Sequence, residues 1–121
     1  MLAEDEQDVR EVAREFLESA GYTVILAANG EEALARAAEH AGAIDLLVTD
    51  MVMPGMTGLE LVRRLRRARS DFGVIYMSGY SEQAAAEAAR VDETAVVLTK
   101  PFSRAAILRS VREMLQSKPK Q

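Results

Sequence analysis

Four short stretches carry residue types able to handle a cation and a phosphoryl group. Glu4, Asp5 and Glu6 follow the apolar start Met1 to Ala3, and Asp50 closes the run that begins at Ile44. Ser78 and Gly79 close the run Val74 to Met77, and Thr99, Lys100 and Pro101 close the run Ala95 to Leu98. Each is weak alone: a carboxylate there is more often a cap or turn residue, and serine before glycine or lysine before proline is ordinary loop material. Delivered to one edge of one sheet, they supply acid, acid, hydroxyl and amine to a single place. Asp5 and Asp50, with Glu4 behind, would form a hard oxygen site suited to magnesium, which takes one or two carboxylates, keeps waters and completes its shell with phosphate oxygens. Without a cation such a cluster repels itself and raises at least one carboxylate pKa. Lys100 can neutralise Asp50 at rest and a phosphoryl oxygen after transfer, and Ser78 can donate its hydroxyl to another. Gly79 leaves an opening for a bulky donor. Lys100-Pro101 is a candidate cis bond that would hold the lysine inward.

The elements that must position these residues follow from the apolar pattern. Ile44 to Val48, interrupted only by Asp45, reads as a strand buried on both faces, the strand type of a parallel sheet covered by helices on both sides. Asp50 then sits at the C-terminal end of a central strand, where open α/β sheets place their chemistry. Met1 to Ala3 is the first strand, unusually short against the roughly five residues of a typical strand; the expectation is that residues in front of Met1 in the natural protein are absent here. Asp8 is placed to cap a helix running to about Ser19, with Val9, Val12, Ala13, Phe16, Leu17 and Ala20 inward, Arg10 and Arg14 facing water, and Gly21 at a left-handed C-terminal position. Thr23 to Ala27 is the second strand, left through the Asn29-Gly30 turn, and a helix from Glu31 to about His40 follows. His40 has no partners nearby in sequence and reads as a helix-terminal residue rather than a phosphoryl carrier or metal ligand.

Beyond Asp50, a helix runs from about Gly58 or Leu59 to Arg69 and a strand covers Val74 to Met77. An alanine-rich helix extends from about Ser81 to Arg90, held by propensity more than packing. A strand at Ala95 to Leu98 precedes a last helix capped by Ser103, with Ala106, Ile107, Ser110 or Val111, Met114 and Leu115 inward; the tail 118–121 should fray. Strand and helix alternate five times without repeat or linker, which predicts one doubly wound, three-layer α/β domain over 1–121 and no effector domain.

Bulk properties agree. A chain of 121 residues with 49% apolar residues hides enough surface for a real core. It has no cysteine, no apolar stretch of about 18 residues and no signal-peptide pattern, so disulfide frameworks and membrane spans drop out and a cytoplasmic location is the default. Residues 1–50 carry 12 acids and 3 bases, and residues 51–121 carry 7 acids and 12 bases. The acidic half suits a cation site and disfavours a general nucleic-acid surface. The arginines of RRLRRAR, Arg63 to Arg69, fall in the last turns of a predicted helix, where cations complement the dipole and face solvent.

Over nearly its full length the chain resembles a response-regulator receiver domain of two-component signalling. The segments that carry the resemblance are AEDE at 3–6, GYTV and AANGEEAL between Gly21 and Leu34, DLLVTDMVMPGMTGLEL from Asp45 to Leu61, YMSGY from Tyr76 to Tyr80, and LTKPF from Leu98 to Phe102. The resemblance implies a flavodoxin-like (βα)5 fold with strand order 2-1-3-4-5. It implies Asp50 as phosphoacceptor, Asp5 as a direct magnesium ligand, Glu4 acting through water, and the backbone carbonyl of Val52 as a further ligand. Ser78 becomes the hydroxyl residue and Lys100 the lysine of the family, with manganese as a substitute metal. The implied reaction is transfer from a phosphohistidine on a sensor histidine kinase or phosphotransfer protein, followed by self-dephosphorylation. The protein would be a monomer at rest, with no contact to nucleic acid or membrane. A receiver-like interaction module that is never phosphorylated is the alternative. A phosphatase or α/β hydrolase is disfavoured, because neither DxD nor GxSxG occurs. The MSGY and LTKPF wording is most similar to receivers at the C-terminal end of hybrid sensor histidine kinases, and is also compatible with a free-standing regulator. One departure stands out: switching members carry Tyr or Phe where this chain has Val97, so phosphorylation is expected with conformational output that is weak or takes another route, such as the alanine-rich helix.

Overall fold

In the computed structural model, residues 1–79, 83, 86, 87, 90 and 95–117 are described. Their elements are β1 (Leu2–Ala3), α1 (Gln7–Ser19), β2 (Leu26–Ala27), α2 (Gly30–Glu39), β3 (Leu46–Asp50), α3 (Gly58–Leu65), β4 (Gly73–Ser78), β5 (Val96–Thr99) and α4 (Arg104–Ser117). The strands form one parallel sheet in the order β2-β1-β3-β4-β5. The fold is therefore the expected flavodoxin-like one, with a first strand of 2 residues. The alanine-rich helix expected over 81–90 falls mostly outside the described residues, and the tail 118–121 does so entirely. Among the described residues no helix is long and apolar enough to cross a membrane.

Each face of the sheet has its own core. Leu47, Leu61, Val62, Leu65, Val74 and Tyr76 pack with Ala33 and Ala37 under α2 and α3. On the other face Val48, Ile75 and Met77 meet Leu17 of α1 and Ile107, Val111 and Met114 of α4. Burial of β3 on both sides explains its uninterrupted apolar character, and all five of its residues are buried.

Several boundaries move for local reasons. Helix α1 starts from Glu6, not Asp8, and Glu6 offers no side-chain cap; Asp8 lies in the first turn, where its charge favours the helix dipole. Ala20 is the C-cap and Gly21 follows at φ +94°, the left-handed position expected of it. Val12, expected inward, is 42% exposed, because Ala13 and Leu17 take the centre of the buried stripe. Strand β2 is shorter than Thr23 to Ala27, since β1 offers partners only to Leu26 and Ala27. The Asn29-Gly30 turn is the N-cap of α2: Asn29 accepts from the Glu32 N–H at 2.7 Å, and Glu32 accepts from the Ala28 N–H at 2.6 Å. Helix α3 ends at Leu65, short of Arg69. Arg69 is not a solvated charge, since its guanidinium donates to the carbonyls of Ala37, His40 and Gly42 at 3.0, 2.6 and 2.9 Å and ties down the end of α2. Arg66 stacks over Phe72 at 5.4 Å, whereas Arg63 and Arg64 pair with Glu60 on the surface as expected. His40 is the C-cap of α2, and Ser103 caps α4 through a 3.0 Å bond from the Ala106 N–H.

Candidate functional site

Strand order reverses between β1 and β3, and the carboxyl ends of these strands flank the crevice where open α/β sheets bind ligands. β1 runs straight into Glu4 and Asp5, and β3 ends in Asp50. Register aligns Ala3 with Thr49 and Asp50 with Met77, so the acids of β1 and β3 and the Ser78 that ends β4 arrive at one sheet edge. On the next strand Ser78 pairs with Thr99, and the Lys100 N–H donates to the Ser78 carbonyl at 2.8 Å. The sheet itself thus sets lysine and serine side by side. The Lys100-Pro101 bond is cis, as the sequence suggested.

Side chains then close the site. Oxygen atoms of Glu4, Asp5 and Asp50 all lie within 4.8 Å of one another. Lys100 Nζ lies 2.8 Å from Asp50 Oδ2 and 2.8 Å from Glu4 Oε1. Its aligned hydrogen bond goes to Asp50, which leaves the buried Glu4 Oε1 with a charge contact and no hydrogen bond. The other Glu4 oxygen accepts from the Glu6 N–H at 3.0 Å. Glu4 is fully buried behind the other two acids, and Asp5 is the one that keeps solvent exposure. Val52 follows in the loop, 76% exposed as a residue, and its N–H donates to Asp50 Oδ1 at 3.4 Å.

The electrostatics follow the burial. Desolvation, reinforced by the Asp50 charge, pushes the Glu4 carboxyl up to about 7, against the pull of Lys100 and the Glu6 N–H. One carboxylate was expected to rise by mutual repulsion; it does rise, but burial is the larger cause. Burial alone would lower the Lys100 ammonium, yet its close contacts with the Asp50 and Glu4 carboxylates outweigh that and hold it above its ordinary value. Among the described residues Lys100 is the one cation paired with these three carboxylates, so the cluster is short of positive charge. An all-oxygen donor set with an unsatisfied buried carboxylate oxygen fits a hard divalent ion.

Three supports were missed in the sequence. Arg10, expected in water, donates to the Glu4 carbonyl at 2.8 Å and so fixes the acidic turn; only its place in the first turn of α1 hinted at this. Thr57 caps α3 by accepting from the Glu60 N–H at 3.1 Å, in a T-x-x-E pattern that was legible. Gly58 packs so closely on the backbone carbonyl of Asp50 that an added Cβ would collide with it, which seats α3 directly under the phosphoacceptor candidate.

Sheet order, crevice and acidic cluster together define a class, and sequence comparison agrees with it: residues 1–112 match the response regulator receiver domain, and the chain belongs to that family of two-component signalling. Among similar proteins, the sensor kinase CckA of Brucella abortus is 43% identical over 116 residues, which are 96% of this chain but 12% of the kinase. The chain thus spans about one eighth of that relative. The response regulator receiver protein CpdR of Brucella abortus is 36% identical, with 95% of this chain and 94% of CpdR covered. A crystal structure of the receiver domain from the hybrid histidine kinase CckA superposes with a TM-score of 0.81 at 37% identity, covering 95% of this chain and 96% of that one. The resemblance to hybrid-kinase receivers and the fold it implied are both borne out.

Proposed function

We propose that this domain is a phosphoacceptor in a histidine-to-aspartate phosphorelay, with Asp50 as the residue modified. The observation that carries the reading is the juxtaposition of three carboxylates with an ammonium 2.8 Å from two of them, at the switch point of the sheet. The Asp50 carboxylate attacks phosphorus in line, an O–P bond forms, the N–P bond of a partner's phosphohistidine breaks, and the imidazole leaves with the electron pair. Lys100 gives up its bond to Asp50 and neutralises an oxygen of the transferred group, while Ser78 donates to another. Asp5 and Asp50, with Glu4 through water and the Val52 carbonyl, are the residues that would hold magnesium, or manganese in its place. When bound, the metal supplies charge neutralisation for the phosphoryl oxygens. The acyl phosphate so formed is hydrolysed by water at the same site, which makes the modification self-limiting.

A partner is therefore a histidine kinase or histidine phosphotransfer protein, and the site suits no independent metabolic reaction. The reading of a receiver-like module that is never phosphorylated predicts loss of the acids or the lysine, and this chain keeps Glu4, Asp5, Asp50 and Lys100. Phosphoramidate, whose N–P bond imitates phosphohistidine, gives the direct test. With magnesium it should produce a hydroxylamine-sensitive acyl phosphate on the wild-type chain and none on Asp50→Asn. An equal yield on Asp50→Asn would move the modification to another residue.

A further inference from the structure

Glu4 and Asp5 leave β1 in a turn whose main chain is held on both sides of Asp5. The Glu4 N–H donates to the Ala27 carbonyl at 3.1 Å, and the Glu4 carbonyl accepts from the Arg10 guanidinium at 2.8 Å. Two residues on, the Glu6 N–H donates to Glu4 Oε2 at 3.0 Å, and the Glu6 carbonyl accepts from the Arg10 N–H at 2.9 Å. Asp5 therefore lies between two carbonyls that a single residue holds, one with its side chain and one with its main chain. Glu4 and Asp50 are buried, and Lys100 lies 2.8 Å from each, so packing and charge fix where their carboxylates point. Asp5 is the exposed acid of the cluster, and its direction depends chiefly on the backbone that carries it.

General electrostatics gives Arg10 no reason to stand here. It is near the start of α1, where a positive charge opposes the helix dipole, and α1 opens beside a cluster suited to a divalent ion, which a further cation would repel. Among the described residues its guanidinium pairs with none of the three carboxylates; its bond goes to the Glu4 carbonyl. Glu6 gives α1 no side-chain cap, so the segment entering the helix lacks the usual restraint, and the Arg10 bond supplies another. We infer, on the reading that Asp5 and Asp50 hold magnesium, that Arg10 is a positioning residue for that ion: through the Glu4 carbonyl it orders the acidic turn and so sets the Asp5 carboxylate before the ion arrives. Magnesium demands near-ideal octahedral geometry and tolerates little wandering of a ligand. A turn ordered in advance loses less freedom when the ion binds. The effect of the ordering on affinity is thus opposite in sign to that of the Arg10 charge, which lets one measurement tell them apart.

The test sets the wild type beside Arg10→Met, which keeps an apolar stem and removes the guanidinium, and Arg14→Met, which removes a positive charge one turn further along α1, where Arg14 lies 4.0 Å from Glu18. Affinity is read by titration with magnesium alone, followed through amide shifts in heteronuclear NMR, and hydrogen exchange of the Glu6 amide is read in chelator. Arg10→Met should raise the magnesium dissociation constant by about fivefold or more and speed Glu6 exchange by a similar factor, the size expected for one hydrogen bond from a charged group. Arg14→Met should change neither by more than about twofold. Tighter binding by Arg10→Met would show that the guanidinium acts on the ion as a repelling charge, and an unchanged constant with a lower melting midpoint would leave it a structural residue of α1; either would overturn the inference. Equal losses in the two variants would overturn it as well, as would weaker binding without faster Glu6 exchange, because the turn would then not be what Arg10 controls. A wild type that binds no magnesium would refute the metal reading and the role of Arg10 with it, while Glu6 exchange would still show whether Arg10 holds the turn, so the two failures are distinguishable.

Discussion

Replacing Glu4 with glutamine should make the metal-free protein more stable at neutral pH. Glu4 is fully buried and its carboxyl is raised from 4.5 to about 7. Between those values the folded state holds a proton that the unfolded chain has released. The stability linked to this group is therefore fully present below about pH 4.5 and is lost as the pH rises through about 7. The interval corresponds to about 3 kcal/mol, at roughly 1.4 kcal/mol per pH unit. Glutamine keeps an oxygen for the Glu6 N–H and leaves Lys100 to Asp50, so it removes the charge without removing the packing. Met1 works in the opposite sense, since its amine falls from 8.0 to about 6 and stability from that group increases as the pH rises from about 6 to 8. Its contribution cancels in the difference between wild type and Glu4→Gln. Urea unfolding followed by far-ultraviolet circular dichroism, in chelator, should give nearly equal stabilities at pH 4.5 and an advantage to Glu4→Gln of about 3 kcal/mol by pH 7.5. A difference independent of pH, or a more stable wild type at pH 7.5, would mean that Lys100 fully offsets the burial of Glu4 and that the site is not short of positive charge.

Magnesium should raise the wild-type melting midpoint more at pH 7.5 than at pH 5, and Asp5→Asn should weaken that response, as calorimetric titration would read directly. Lys100→Met should destabilise the metal-free chain by about 2–3 kcal/mol in urea at pH 7.5, less than the roughly 3–5 kcal/mol of a fully buried pair because the lysine side chain is 19% exposed. Gly58→Ala drives a methyl group into the Asp50 carbonyl and should cost about 1–3 kcal/mol while slowing phosphorylation; Thr57→Ala, which removes only the cap, should cost about 1 kcal/mol and leave phosphorylation unchanged. Val97 pairs with Tyr76 and packs on the core under α2 and α3. Beryllofluoride should therefore shift amides near Asp50, Ser78 and Lys100 in the wild type, and a wider set in Val97→Tyr, by heteronuclear NMR.

The sheet was legible because parallel strands buried on both faces leave apolar runs that end abruptly, and those runs end in Asp50, Ser78 and Thr99. What stayed hidden depended on a tertiary partner. The extent of β2 is set by how far β1 reaches, and Val12 is exposed because a helix stripe is narrower than its apolar residues. Arg69 lies in a run of arginines that looks solvated, yet the open carbonyls at the end of α2 are within its reach. At the site, residue types and strand ends brought Glu4, Asp5, Asp50, Ser78 and Lys100 to one edge. Which acid is buried depends on the acidic turn that Glu6 and Arg10 tie down, through bonds between backbone and side chain that no spacing rule encodes.

The central claim is tested most directly by intact-mass spectrometry of the chain after incubation with acetyl phosphate and magnesium, run beside Asp50→Asn. The expected result is a gain of about 80 Da, one phosphoryl group, absent from the variant and from a chelated sample. No gain in a correctly folded wild type, or the same gain in Asp50→Asn, would contradict a phosphoacceptor at Asp50.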